Sequence, residues 1–203
     1  MKITAIQGIM LRCTCSPISD ALSTSTARQA LLVKIETDAG LYGIGEAFTY
    51  GAPLKIMKYL VEEQLGPMLI GQDPAEIEKH WNTMYWRTIA HGRRSMTMGA
   101  ISGIDIALWD LLGKAAHMPV CKLLGQHLDR VPSYASGGFY APGKDLHKLE
   151  DELEHYKAQG YRDMKIKIGR TLERSNAPLA YMANQDCAVS VEEDYKRIEA
   201  AKQ

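Results

Sequence analysis

The chain has 203 residues, 46% of them hydrophobic, with 24 basic side chains against 24 acidic ones and a formal net charge of zero. That composition suits a soluble globular chain of one or two domains with a real core, and the balanced charge gives no argument for a nucleic-acid or membrane partner. The first residues lack an apolar run of signal-peptide length, and the cysteines at 13, 15, 121 and 187 lack metal-finger spacing, so the expectation is a cytoplasmic protein with reduced thiols.

Ile3 to Arg12 is apolar and β-branched and reads as a strand. Cys15 to Gln29 is rich in Ser, Thr, Pro and Asp without periodicity and reads as a loop, either functional or simply mobile. Ala30 to Thr37 alternates Leu31, Val33 and Ile35 against Leu32, Lys34 and Glu36, the period of a half-buried strand. Asp38-Ala39-Gly40 is a turn, and Leu41 to Phe48 returns as the second arm of a hairpin. Gly43 and Gly45 share one face of that arm, which predicts close approach by another part of the chain. A second loop runs from Thr49 to Pro53.

Helices follow. Leu54, Met57, Leu60, Val61 and Leu65 have amphipathic spacing. Asp73-Pro74-Ala75-Glu76 predicts a helix start with Asp73 as the cap, continued by Ile77, Trp81 and Met84 or Tyr85. Met98 to Ala116 is the clearest helix, with an apolar stripe from Ile101 to Ala115 and a stop at His117-Met118-Pro119. Asp105 and Asp110 on it read as surface or capping groups rather than ligands.

From Val131 the pattern becomes strand, helix, strand, helix. Val131 to Ser136 is strand-like, Asp145 to Gln159 is helical with Leu146, Leu149, Leu153 and Tyr156 on one face, and Asp163 to Ile168 is a strand. Ser190-Val191-Glu192-Glu193 is a capping box that opens a helix through Tyr195 and Ile198. Parallel strands with a right-handed crossover follow from this order. The fold class is therefore an α+β domain over residues 1–130, a three-stranded antiparallel sheet plus helices, followed over 131–203 by the start of a (β/α)8 TIM-type barrel. A whole barrel needs on the order of 250 residues, so the barrel reads as truncated after two βα units. Residues 171–189 form a long stretch between elements, either a lid over a polar substrate or an insertion without a role.

Lys165 and Lys167 flank Ile166 and point to one side of their strand, while Met164, Ile166 and Ile168 point to the other. Enclosure and like-charge repulsion would both make a lysine there easier to deprotonate, as a general base requires. The alternative is an exposed edge strand whose charges oppose aggregation.

The order of parts resembles the enolase superfamily, in its mandelate racemase and muconate lactonizing enzyme branch. The likeness is carried by Ala30 to Gly40, Gly43-Ile44-Gly45-Glu46-Ala47, Ala100 to Lys114, and Gly160-Tyr161 running into Lys165-Ile166-Lys167. The resemblance implies abstraction of the proton next to a carboxylate, with the enediolate held on Mg²⁺. By carry-over Lys167 would be the base, and Lys165 would assist it and help neutralise the carboxylate. The segments 16–26, 49–53 and 136–140 would face the site, with Ser23, Thr24, Tyr50, Ser136 and Tyr140 as substrate-binding candidates. The family's metal carboxylates come from later barrel strands, so no metal ligand is assigned here and the Mg²⁺ ligands are expected beyond residue 203. Polar loops favour dehydration of a sugar acid, ahead of racemisation or epimerisation and then cycloisomerisation. A non-catalytic remnant that acts only by association is the alternative of another class. The expected partner is a small carboxylate substrate, and the full-length protein is expected to be a homo-oligomer.

Overall fold

The computed structural model describes residues 1–49, 51–92, 94–171 and 187–202. They divide into two compact units, Met1–Cys13 with Gln29–Asp129, and Thr14–Arg28 with Arg130–Gln203. Residues 14–28, which chain order assigns to the first domain, group with the second unit.

The first sheet has the order β1-β2-β3, with β1 spanning Ile3–Ser19, β2 Thr24–Thr37 and β3 Tyr42–Ala47. β2 and β3 are antiparallel, with Val33 opposite Gly45 and Ile35 opposite Gly43. Leu31, Val33 and Ile35 are fully buried, as their alternation requires. The expected loop from Cys15 to Gln29 is a correction: all but its tip is strand. Its residues are mostly polar, so they carry no apolar alternation, but Thr24 and Thr26 suit an extended backbone. Asp20 closes the tip, with its Oδ1 accepting from the N–H groups of Leu22 and Ser23, both at 2.8 Å.

The helices of the first unit are α1 (Leu54–Tyr59), continued by a π-turn over Leu60–Leu65, then α2 (Ile77–Arg87), α3 (Met96–Ala115) and α4 (Val120–Leu123). The expected start at Asp73 is also corrected. Asp73 Oδ1 accepts from Ala75 N–H at 3.0 Å and closes a turn, and α2 begins only at Ile77. α3 is long and apolar enough to cross a membrane by composition alone, but 56% of that window is buried within the protein. It packs on β3 through small residues. A Cβ on Gly45 would run into the carbonyl of Gly103, one on Gly43 would come within 2.9 Å of Leu111, and one on Gly103 within 2.9 Å of Ala47. Asp110 joins the same two elements: its Oδ2 accepts from Ile44 N–H at 2.7 Å and from Lys114 Nζ at 2.6 Å. The core around this contact includes Ile3, Leu31, Met57, Leu65, Met84, Ile101, Ile104 and Leu108.

In the second unit β4 (Tyr134–Ser136) and β5 (Asp163–Lys165) pair in parallel, with Ser136 opposite Lys165. Both strands are shorter than expected. Pro132 cannot donate to a ladder, and the chain beyond Lys165 leaves the regular pairing before Gly169, which sits at φ 88°. α5 (Leu146–Ala158) is capped by Asp145, which accepts from Lys148 N–H at 3.0 Å. α6 (Val191–Ala200) opens with the expected capping box of Ser190 and Glu193. Its inward face is charged: Asp194 and Arg197 are buried while Tyr195 is 65% exposed.

Replacing Gly45 with alanine is expected to cost about 3 kcal/mol, because a helix backbone rather than a flexible side chain occupies the space. Gly40→Ala, at φ 75° with open space around it, should cost only about 1 kcal/mol. Urea unfolding of both variants checks this; equal losses would contradict the packing account.

Candidate active site

Polar groups converge where β4 and β5 end. The Gly138 peptide is the centre. Its N–H donates to Glu152 Oε1 of α5 at 3.1 Å, and its carbonyl accepts from Arg197 Nη2 of α6 at 2.6 Å and from Lys167 N–H at 3.3 Å. Glu152 also accepts from Tyr156 Oη at 2.8 Å and from Lys144 Nζ. Gly138 adopts φ 61°, and a Cβ there would lie 2.6 Å from the Ile166 side chain, so glycine is required on two counts.

Asp194 ties down the neighbouring backbone. It accepts from Tyr140 Oη and from Gly169 N–H, each at 2.5 Å, and lies 3.6 Å from Arg197 Nε. The Arg197 guanidinium stacks 4.3 Å from the Tyr140 ring centroid. Burial first, and the bond to Asp194 second, push the Tyr140 hydroxyl up to about 12. Arg170, buried one residue after Gly169, donates through Nη1 to the Asp20 carbonyl at 2.8 Å and through Nη2 to Thr24 Oγ1 at 2.9 Å.

The expected site residues fall into three groups. Lys167 is half-buried, with its ammonium 5.2 Å from the Phe139 ring centroid. Its charge acts on the Asp20 carboxylate. Burial opposes ionisation of that carboxylate, but hydrogen bonds from Leu22 and Ser23, together with the Lys167 charge, pull it below the ordinary aspartate value. Lys165 and Ser136 are exposed register partners, and Lys165 lies 6.0 Å from the Tyr134 ring. The enclosure expected for both lysines is thus present only for Lys167. Ser23 donates through its hydroxyl to Asp20 Oδ1 at 3.2 Å, and Thr24 bonds Ser19 and Arg170. Tyr140, 2% exposed with its hydroxyl on Asp194, is internal scaffold rather than an open ligand contact. Tyr50 and most of the 171–189 stretch, from 172 to 186, lie outside the described residues.

Mg²⁺ takes a near-octahedral set of oxygens. Among the described residues no group of three His, Cys, Asp or Glu side chains could hold a metal ion. Asp20, Glu152 and Asp194 each already accept several hydrogen bonds from protein donors, so these residues do not fit the ion.

The profile of the family described as "Mandelate racemase / muconate lactonizing enzyme, N-terminal domain" matches residues 5–125. The chain belongs to this family. Among its relatives are an arabinonate dehydratase of Saccharolobus solfataricus, 37% identical over 175 residues, and a D-galactonate dehydratase family member, RspA, of Halomonas elongata, 39% identical over 151. The match covers 86% of this chain and 42% of the first relative, and 72% and 35% for the second, so the chain spans well under half the length of either. An enolase superfamily member from Polaromonas sp. JS666 superposes with a TM-score of 0.81 at 30% identity, over 100% of this chain and 48% of that one. L-talarate/galactarate dehydratase from Salmonella typhimurium LT2, liganded with Mg and L-lyxarohydroxamate, gives 0.79 at 25%, over 99% and 48%.

In this member of the mandelate racemase/muconate lactonizing enzyme family, sequence reading missed Glu152, Arg170, Asp194 and Arg197, and held Asp20 and Phe139 only within segments expected to face the site. One signal was available for two of them: Asp194 and Arg197 are spaced i, i+3 and so share a face of α6. For Glu152, burial works against ionisation, but bonds from Lys144, Tyr156 and Gly138 hold it below the ordinary glutamate value. A depressed carboxylate stabilises the fold above its unfolded value, and that contribution fades as pH falls through the folded one. Glu152→Gln should therefore lower the melting temperature at neutral pH, with the gap to wild type closing below about pH 4. A gap that is constant from pH 7 to pH 3 would contradict the assignment.

Proposed function

We propose that this chain carries the base-bearing part of a sugar-acid dehydratase. Lys167 takes the proton next to the substrate carboxylate, and its ammonium then returns that proton to the adjacent hydroxyl, which leaves as water. Lys165, exposed beside Ser136, offers a cation to the carboxylate. The tip of the β1–β2 hairpin, with Ser23 and Thr24, supplies hydroxyls suited to a polyhydroxylated chain. The observation that carries the reading is the placement of Lys167: half-buried two residues beyond the end of β5, and three residues before the Arg170 that bonds the polar tip, in a chain 37% identical to an arabinonate dehydratase. The proposal gives this chain the base and its surroundings only. The Mg²⁺ implied by the family would be held by groups other than the described residues. A cytoplasmic homo-oligomer completes the proposal.

The test is dehydration of arabinonate, galactonate and mannonate by an enzyme that contains these residues. Lys167→Ala should reduce turnover of the accepted acid by about 10²–10⁴-fold, the usual contribution of a positioned general base. A folded Lys167→Ala enzyme with normal turnover would remove the base assignment.

A further inference from the structure

Phe139 has no role in the reading above, yet its ring is the group over which the Lys167 ammonium sits, 5.2 Å from the centroid. That lies within the roughly 6 Å reach of a cation–π contact. The backbone around Phe139 is held on both sides. Gly138, before it, is bound through N–H by Glu152 and through its carbonyl by Arg197. Tyr140, after it, exchanges two backbone bonds with Ser19, at 2.7 and 2.9 Å, and donates its hydroxyl to Asp194. Phe139 is half-buried, so its ring is neither lost in the core nor free in solvent.

We infer that Phe139 is a positioning residue for the Lys167 ammonium, a rigid aromatic platform that limits where the end of this long side chain can go. Lysine carries four rotatable bonds, and an unrestrained ammonium would sample many positions away from the substrate proton. The ring face attracts the cation without offering it a hydrogen-bond acceptor. It therefore restrains the nitrogen while leaving it able to meet substrate. Asp20 is held to its own turn by bonds from Leu22 and Ser23, and supplies charge rather than a fixed contact.

This inference rests on the reading of Lys167 as the base, and two measurements separate their failures. The first needs no activity. In the 203-residue protein labelled with ¹³C-lysine, the Cε–Hε signal of Lys167, identified by its loss in Lys167→Arg, should be displaced upfield by the ring. Phe139→Leu should return it to the position of exposed lysines, and Phe139→Tyr should keep it displaced. An identical signal in wild type and Phe139→Leu would overturn the contact. The second uses an active enzyme containing these residues. Phe139→Leu should lower kcat about tenfold at unchanged KM, and Phe139→Tyr should restore it. Normal kcat for Phe139→Leu in an enzyme that Lys167→Ala inactivates would overturn the positioning role alone. Full activity of Lys167→Ala would overturn the base assignment on which it rests.

Discussion

The second unit depends on a pair of opposite charges buried on one helix. Asp194 and Arg197, 7% and 3% exposed, are one helical turn apart on α6, and both reach toward the ends of the two strands. Asp194 collects Tyr140 and Gly169; Arg197 collects Gly138 and the carbonyl of Lys167, the latter at 3.4 Å. Removing one partner of a buried pair costs about 3–5 kcal/mol, since it leaves a charge uncompensated. Here it would also release the backbone on which Lys167 is mounted. A helix that usually meets a sheet through leucines meets it through ions instead. Ions fix directions as well as distances, which suits strand ends that must present a lysine in one place.

The first unit solves a different problem by a different means. Its sheet and α3 must come close, and side chains are removed to allow it: Gly43 and Gly45 on β3, Gly99 and Gly103 on α3. Close approach brings Asp110 to the N–H of Ile44, so a polar contact survives inside an otherwise apolar seam. Packing of this kind favours rigidity over adaptability.

How much of this was legible follows from which signals are local. The alternation of Leu31, Val33 and Ile35, the paired glycines of β3 and the capping box at Ser190 are local, and each has its predicted structural counterpart. The parallel pairing of β4 and β5 followed from element order. The long hairpin did not, because residues 15–29 are mostly polar and resemble a loop by composition. The inward face of α6 was hidden for a related reason. Periodicity seeks apolar residues, and the buried side chains of α6 are Asp194 and Arg197. In the site, Lys165 and Lys167 were visible as a pair, but Asp20 and Phe139 lie far from them in sequence. Only the folded hairpin and the clamped Gly138 bring them together.

The central claim is that the buried pair on α6 holds the backbone that carries Lys167. Amide hydrogen exchange in the 203-residue protein reads this directly at two sites, the N–H of Gly169, which donates to Asp194, and the N–H of Lys167, which donates to Gly138. In Arg197→Met, exchange at both should accelerate by about tenfold or more relative to amides in the middle of α5, as local opening of the strand ends requires. Protection at Gly169 and Lys167 that falls only in step with α5, or does not fall, would contradict the account.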